Sequence, residues 1–263
     1  MKIIPKKSLG QNFLIDKNII EKICSAGNVN LNDNVLEIGP GTGNLTEFIL
    51  QKKPNKFYII EKDIRLIKYL NERFDKKITI INEDILKYDL KLLSDKNLVI
   101  FGNLPYNISS QILVNFINYS NSKFCYKKLV LMFQKEVADR ILAKDNSKNY
   151  GRLSIFSSWK LDIKKIMDIN PSSFFPKPKV MSSLLIFEPK INYIKFKNSK
   201  NLEHVTNVFF NQRRKMIKKP LNILFKNSKK IIDELGLDIN LRPQNLKKDT
   251  FYKICLIYEK LIK

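Results

Sequence analysis

With 263 residues, 44% hydrophobic and 11% aromatic, the chain is long enough for one full α/β domain plus a smaller module and apolar enough to bury a core. Its longest apolar runs, such as residues 129–133 and 184–187, fall far short of the roughly 18 residues a membrane-spanning helix needs. The net charge of +23 points to a polyanionic partner, since Lys and Arg that neutralise phosphates release counterions, although a chain this rich in Lys, Ile and Asn also fits the compositional drift of an AT-rich genome.

Residues 1–11 carry lysines with no apolar stretch behind them and no small-residue cleavage site, so a secretory signal is not expected and the protein is expected in the cytoplasm. Short apolar runs rich in β-branched residues then recur at residues 34–38, 57–60, 78–81, 98–101 and 129–133, which is how strands buried on both faces read. Between them, Ile64, Ile67, Leu70 and Phe74 keep helical spacing, as do Ile108, Ile112 and Phe116. Strands alternating with helices of this size predict a parallel, doubly wound α/β sheet of Rossmann-like form.

The first of these strands runs into Gly39-Pro40-Gly41-Thr42-Gly43, a glycine-rich turn at the point where an open α/β sheet binds ligands. Asn44 stands where a dinucleotide fingerprint would need its third glycine, so the spacing fits the nucleoside-cofactor turn of methyltransferases better than a pyrophosphate cradle. Glu61 follows the next strand, where a carboxylate can accept both ribose hydroxyls, and Asp84 follows the one after, where it could accept from an adenine amino group. Either acid alone reads as a solvated loop charge; two after successive strands, behind a matching turn, read as a nucleoside site.

After the fourth strand comes Asn103-Leu104-Pro105-Tyr106. Methyl transfer to an aromatic amine is a displacement by a weak, neutral nucleophile, which needs positioning more than a base. The Asn103 amide oxygen and the Leu104 carbonyl can accept the two N–H bonds of such an amine, and Pro105 holds Leu104 extended. Tyr106 offers a face on which an extruded base can stack.

Further along, residues 153–159 and 183–187 look like closing strands, with a proline-rich loop between them at residues 171–178. Beyond residue 190 the pattern turns helical and basic, with Leu202, Val205 and Phe209, then Ile217, Leu221 and Leu224, then Ile231, Ile232 and Leu235, then Phe251, Ile254, Tyr258 and Leu261. The expected organisation is a cofactor-binding domain over residues 1–190 and a small helical domain over 191–263. Lys219-Pro220 leaves the boundary of one basic helix open. Three widely spaced cysteines (Cys24, Cys125, Cys255) and a single histidine, His204, give no metal cluster and no His-based triad, so no metal is expected.

Several motifs together carry a resemblance that covers nearly the whole chain: residues 7–14 (KSLGQNFL), 37–43 (EIGPGTG), 103–109 (NLPYNIS), 134–138 (QKEVA), 150–154 (YGRLS), 174–180 (FFPKPKV) and 212–215 (QRRK). In these the sequence resembles the ribosomal RNA adenine N6-dimethyltransferases, and within them the small-subunit (16S) branch. The resemblance implies S-adenosylmethionine as cofactor and, as substrate, two adjacent adenosines near the 3′ end of small-subunit rRNA within an assembling small ribosomal subunit. It implies that Asn12 and Leu14 close over the cofactor, that Gly39 and Gly41 lie against it, and that Glu61 holds the ribose and Asp84 the adenine. Asn103 would stand between cofactor and target amine, with Phe174 as a second aromatic wall opposite Tyr106. Read without the resemblance, Phe174 is an apolar residue in a proline-rich loop whose default is core packing. Arg213, Arg214 and Lys215 are the expected RNA contacts, and a monomer is the expected state. The alternatives are a large-subunit rRNA adenine methyltransferase, whose relatives share the cofactor and catalytic motifs, and a non-catalytic RNA-binding or ribosome-assembly factor.

Overall fold

The computed structural model describes residues 3–93, 98–119 and 125–261, and the chain divides into two compact units, Met1–Ala138 with Leu161–Pro189 and Asp139–Lys160 with Lys190–Lys263. The first unit is built on a seven-stranded sheet of order β4-β3-β2-β5-β6-β9-β7. Its strands are β2 (Asn34–Ile38), β3 (Lys56–Glu61), β4 (Thr79–Asn82), β5 (Leu98–Asn103), β6 (Tyr126–Gln134), β7 (Leu161–Ile169) and β9 (Ser182–Pro189). The pairings among β2 to β6 are parallel, while β9 runs antiparallel to both β6 and β7. A separate two-stranded ribbon pairs β1 (Phe13–Leu14) with β8 (Phe174–Phe175).

The central parallel strands β2, β3 and β5 are apolar over most of their length, as strands covered on both faces are. Val35, Leu36, Ile59, Val99, Ile100 and Phe101 are all fully buried. The helices of this unit are α1 (Lys17–Gly27), α2 (Asn44–Leu50), α3 (Ile64–Phe74) and α4 (Ser109–Tyr119), with α5 (Lys135–Leu142) leaving it. Helix α1 starts on Asp16, whose carboxylate accepts from the N–H groups of Asn18 and Ile19, and ends on Asn28 in the left-handed conformation. A Cβ on Gly27 would stand 2.2 Å from the Phe101 ring, so glycine there lets α1 lie directly on β5.

The second unit consists of the remainder of α5, α6 (Arg152–Lys160), α7 (Ser199–Asn211), α8 (Lys218–Leu224), α9 (Ser228–Leu235) and α10 (Lys248–Leu261). Pro220 sits in the first turn of α8, where a missing N–H costs little, so the helix starts just before it. Residues 139–160 cluster with the helices that follow residue 190 rather than with the sheet. Hydrogen bonds explain why: Tyr150 Oη donates to the Leu246 carbonyl (3.0 Å), Tyr252 Oη to Ile155 (2.8 Å) and Trp159 Nε1 to Ile194 (2.7 Å).

Residues 153–159, expected as a strand, form most of α6. Ser154, Ile155, Phe156, Ser157, Trp159 and Lys160 are all buried, so the helix has no polar face and its sequence shows no helical period. The strand in this region is β7, which pairs only with β9 and alternates exposed Asp162, Lys164, Ile166 and Asp168 with more covered neighbours. Lys165 takes a covered position and Ile166 an exposed one, which masks the alternation in the sequence, and the pairing with β9 shifts register between Lys165 and Met167. Lys160 is almost wholly buried, with Nζ 4.2 Å from the centre of the Trp159 ring, and burial lowers its pKa to about 8.

Candidate active site

Sheet register assembles the site. Ile38, the last residue of β2, lies opposite Ile60 of β3 and Gly102 of β5. The next residue on each strand is therefore Gly39, Glu61 and Asn103, and these three share one row along the carboxyl edge of the sheet. Asn82 of β4 lies opposite Glu61 and donates to its main-chain carbonyl at 3.1 Å, which brings Asp84 to the same edge. This is where the strand order reverses beside β2, the crevice in which open α/β sheets bind ligands.

A cavity of about 350 Å³ opens there, within the range of small-ligand sites. Its wall takes in Gly39, Gly41, Glu61, Asp84, Asn103 and Leu104, together with residues 8–14 of the N-terminal arm. The arm is fastened at several points. Asn44 Nδ2 donates to the Leu14 carbonyl (2.7 Å), Leu14 pairs with Phe174 in the ribbon, and Asn103 Nδ2 donates to the Asn12 carbonyl (2.8 Å).

The turn after β2 holds Gly39, Gly41 and Gly43 at φ of +63°, +59° and +79°, values that favour glycine. They do different work. A Cβ on Gly41 would stand 2.7 Å from the Phe13 ring, so glycine there admits the arm. A Cβ on Gly39 would meet nothing within 4 Å and would project into free space beside the cavity, as expected where a ligand passes close to the backbone.

Glu61 is only 7% exposed, and its Oε1 accepts from the Asp63 N–H at 2.8 Å. Burial raises its pKa, while hydrogen bonds from the main chain of Asp63, Lys62 and Gly41 act the other way. Asp84 accepts from Lys62 Nζ (2.8 Å) and from the Leu86 N–H (3.0 Å), and the Lys62 bond holds its pKa down. One carboxylate is thus enclosed and braced at the end of β3, and the other stands nearer solvent beside a lysine.

At the end of β5, Gly102 leaves room for the Leu104 side chain, which would lie 2.6 Å from a Cβ there; Leu104 is 1% exposed. Only the main chain of Leu104 is left to serve the cavity. Tyr106 is half-buried, with its hydroxyl 2.7 Å from Ser182 Oγ, and lies just outside the cavity wall that its neighbours Pro105 and Asn107 line. The cavity lining takes in Phe13 and Leu14 of the ribbon but not Phe174, the residue expected as a wall opposite Tyr106. Phe174 is 2% exposed and belongs to the core, because side chains alternate along β8 and the inward position is taken by Phe174 while Phe175 stands 58% exposed.

The basic residues of the second unit also separate. Arg213 is partly buried, with Nε donating to Gln244 Oε1 (3.2 Å) and Nη2 to the Lys148 carbonyl, so it ties two loops of its own unit together. Arg214 and Lys215 are exposed and line an open groove with Lys218, Lys219 and Arg242.

Two groups near the site were not singled out from sequence. Asp63, taken up below, caps α3. Glu37, inside β2, is fully buried and accepts a 2.7 Å hydrogen bond from Thr46 Oγ1. Burial lifts its pKa from 4.5 to about 8, helped by the charge of Glu61. A continuous apolar run containing one acid was the only sequence signal.

A model of the family described as ribosomal RNA adenine dimethylase matches residues 5–260. The ribosomal RNA small subunit methyltransferase A of Pelagibacter ubique (strain HTCC1062) is 57% identical over 256 residues, 97% of each chain. Among solved structures, a dimethyladenosine transferase from Plasmodium falciparum superposes with a TM-score of 0.83 at 29% identity, over 94% of this chain and 98% of that one. The 23S rRNA methyltransferase ErmE gives a TM-score of 0.70 at 20% identity, over 95% of this chain and all of that one, a likeness of fold alone.

Because folding raises the pKa of Glu37, the stability it contributes is complete below about 4.5 and is lost as the pH rises through about 8. Glu37→Gln keeps an acceptor for Thr46 and removes that loss. The melting temperature of the variant is expected to gain on that of the wild type as the pH rises through this window; a difference that stays constant with pH would show that Glu37 does not carry the shift.

Proposed function

The chain belongs to the ribosomal RNA adenine dimethylase family, and on that premise we propose that it dimethylates the N6 amines of two adjacent adenosines in the 3′-terminal hairpin loop of small-subunit (16S) rRNA, as a step in small-subunit biogenesis. It is an S-adenosylmethionine-dependent enzyme. The curated relative at 57% identity is named for the small subunit, and the likeness to the 23S rRNA methyltransferase ErmE, at 20% identity, speaks for the fold alone. Glu61, Asp84 and Asn103 are all retained and all line one cavity, which favours catalysis over a purely RNA-binding role.

The observation that carries this reading is the orientation of the Asn103 amide. Its nitrogen is committed to the Asn12 carbonyl at 2.8 Å, so its oxygen is the atom left to accept from a target amine. The cavity suits the cofactor: Glu61 is enclosed at the position for a ribose, Asp84 stands near the adenine end, and the open space beside Gly39 admits the methionine part. Bound there, S-adenosylmethionine supplies an activated methyl group on its sulfonium. The chain's own residues do the rest. Asn103 Oδ1 and the Leu104 carbonyl accept the two N–H bonds of the amine, hold its lone pair in line and favour the positive charge that develops on nitrogen. Gly39, Glu61 and Asp84 would hold the cofactor as it gives its methyl group to the amine and leaves as the neutral thioether, and the proton the amine loses would pass to water, so no histidine is needed. On a second turnover the nitrogen has one N–H left for these two acceptors, and methylation there gives the dimethylated base.

Tyr106, fixed by Ser182, provides one stacking face. With Phe174 in the core, the exposed aromatic of that loop is Phe175, followed by exposed Lys177 and Lys179, and we assign it the contact with the RNA beside the target base. Arg214 and Lys215 take phosphates.

Asn103→Ala is expected to lower the transfer rate to undermethylated small subunits by about a hundredfold or more while cofactor binding remains measurable by calorimetry; near-normal turnover would remove Asn103 from its role. Phe175→Ala should weaken productive RNA binding by about 1 to 3 kcal/mol at unchanged fold stability, and Phe174→Ala should instead lower the melting temperature. Replacing Arg214 and Lys215 together should weaken RNA binding and flatten its salt dependence, and an unchanged slope would argue against phosphate contact.

A further inference from the structure

Two supports of the site meet at Asp63. It is the N-cap of α3, with Oδ1 accepting from the Arg65 N–H at 3.2 Å. Its own N–H donates to Glu61 Oε1 at 2.8 Å, which fixes the carboxylate assigned to the ribose. Its Oδ2 accepts from Gln11 Nε2 at 3.0 Å. The other end of the Gln11 amide, Oε1, accepts from the Lys6 N–H at 2.7 Å, so the amide is oriented at both ends and cannot be turned over without losing both bonds.

The consequence follows along the chain. Gln11 precedes Asn12, and the Asn12 carbonyl is the acceptor that holds the Asn103 amide nitrogen. If the arm shifts, the Asn103 amide is free to rotate and can present its NH2 group, a donor, where the target amine requires an acceptor. Asp63 is fit to be a fixed point. Its side chain is 2% exposed, and Arg65 grips it with Nη2 at 2.6 Å and Nε at 3.0 Å. Arg65 also donates from Nη1 to the Ile4 carbonyl at 3.3 Å, a second tie to the same arm.

We infer that Asp63 and Gln11 are positioning residues that join the ribose carboxylate to the catalytic amide, so that Asn103 presents its oxygen only while the N-terminal arm is docked on α3. This rests on the methyl-transfer reading above. Cofactor bound against Glu61 and the arm then favours the same arrangement that orients Asn103, and the site becomes competent for the amine as the cofactor settles.

The test uses the full chain, S-adenosylmethionine and undermethylated small subunits, with single-turnover rates measured at saturating cofactor. Gln11→Glu keeps the shape and sets a carboxylate against Asp63; the rate is expected to fall by about tenfold or more and to stay low as cofactor is raised further. Adding Asp63→Asn relieves the charge repulsion, lets its NH2 donate to the new carboxylate and retains an oxygen for the α3 cap, but the same NH2 faces Arg65 Nη2, which must turn to the new carboxylate, so the double variant should recover part of the lost rate. Gln11→Leu, which cannot make either bond, should show the loss without an equal loss of cofactor affinity, with thermal melts confirming that each variant is folded. A wild-type rate in Gln11→Glu, a loss abolished by excess cofactor, or a loss the second substitution leaves in place would overturn the inference. Absence of transfer by the wild-type protein would instead refute the proposed function.

Discussion

In-register parallel pairing of β2 with β3 on one side and β5 on the other, with Ile38 opposite both Ile60 and Gly102, is the constraint on which the site depends. A slip of one residue would turn every side chain of a strand to the opposite face and move Glu61 or Asn103 out of line with Gly39. The register is held by burial: the central strands are apolar on both faces, and α1 lies so close that only glycine fits at position 27 against Phe101. A core that tolerates little slack delivers an acid, a backbone turn and an amide to the same edge.

Around that edge the N-terminal arm completes the cavity. It packs Phe13 into the space of Gly41, pairs Leu14 with Phe174, and gives its Asn12 carbonyl to Asn103. The arm therefore links three features that lie far apart in the chain: the glycine turn, the 103–106 segment and the proline-rich loop. Phe174 contributes by holding this ribbon to the core, and its neighbour Phe175 is left to face outward. In the second unit a similar division runs through adjacent arginines, Arg213 bracing its own loops and Arg214 standing free on the surface.

Much of this was legible in the residues. Strands buried on both faces show as continuous apolar runs, and the glycine turn, Glu61, Asp84 and Asn103 can each be found at a strand end because a parallel sheet puts its ligand site there. What escaped depended on contacts between distant segments. Helix α6 reads as a strand because burial on nearly all sides erased its polar face. Lys165 on the covered side of β7 and Ile166 on its exposed side hid an edge strand. The pairing of β1 with β8, which decides whether Phe174 or Phe175 faces inward, joins segments at opposite ends of the first unit. Asp63 gives no sequence signal, because its role depends on a hydrogen bond from Gln11, 52 residues away in the chain.

Nucleoside analysis of the product, with the modified positions mapped in RNA from undermethylated small subunits, tests the central claim most directly. The account predicts N6,N6-dimethyladenosine at two adjacent positions in the 3′-terminal hairpin loop and nowhere in large-subunit RNA. Modification of large-subunit RNA, or a product methylated at an atom other than the exocyclic amine, would contradict it.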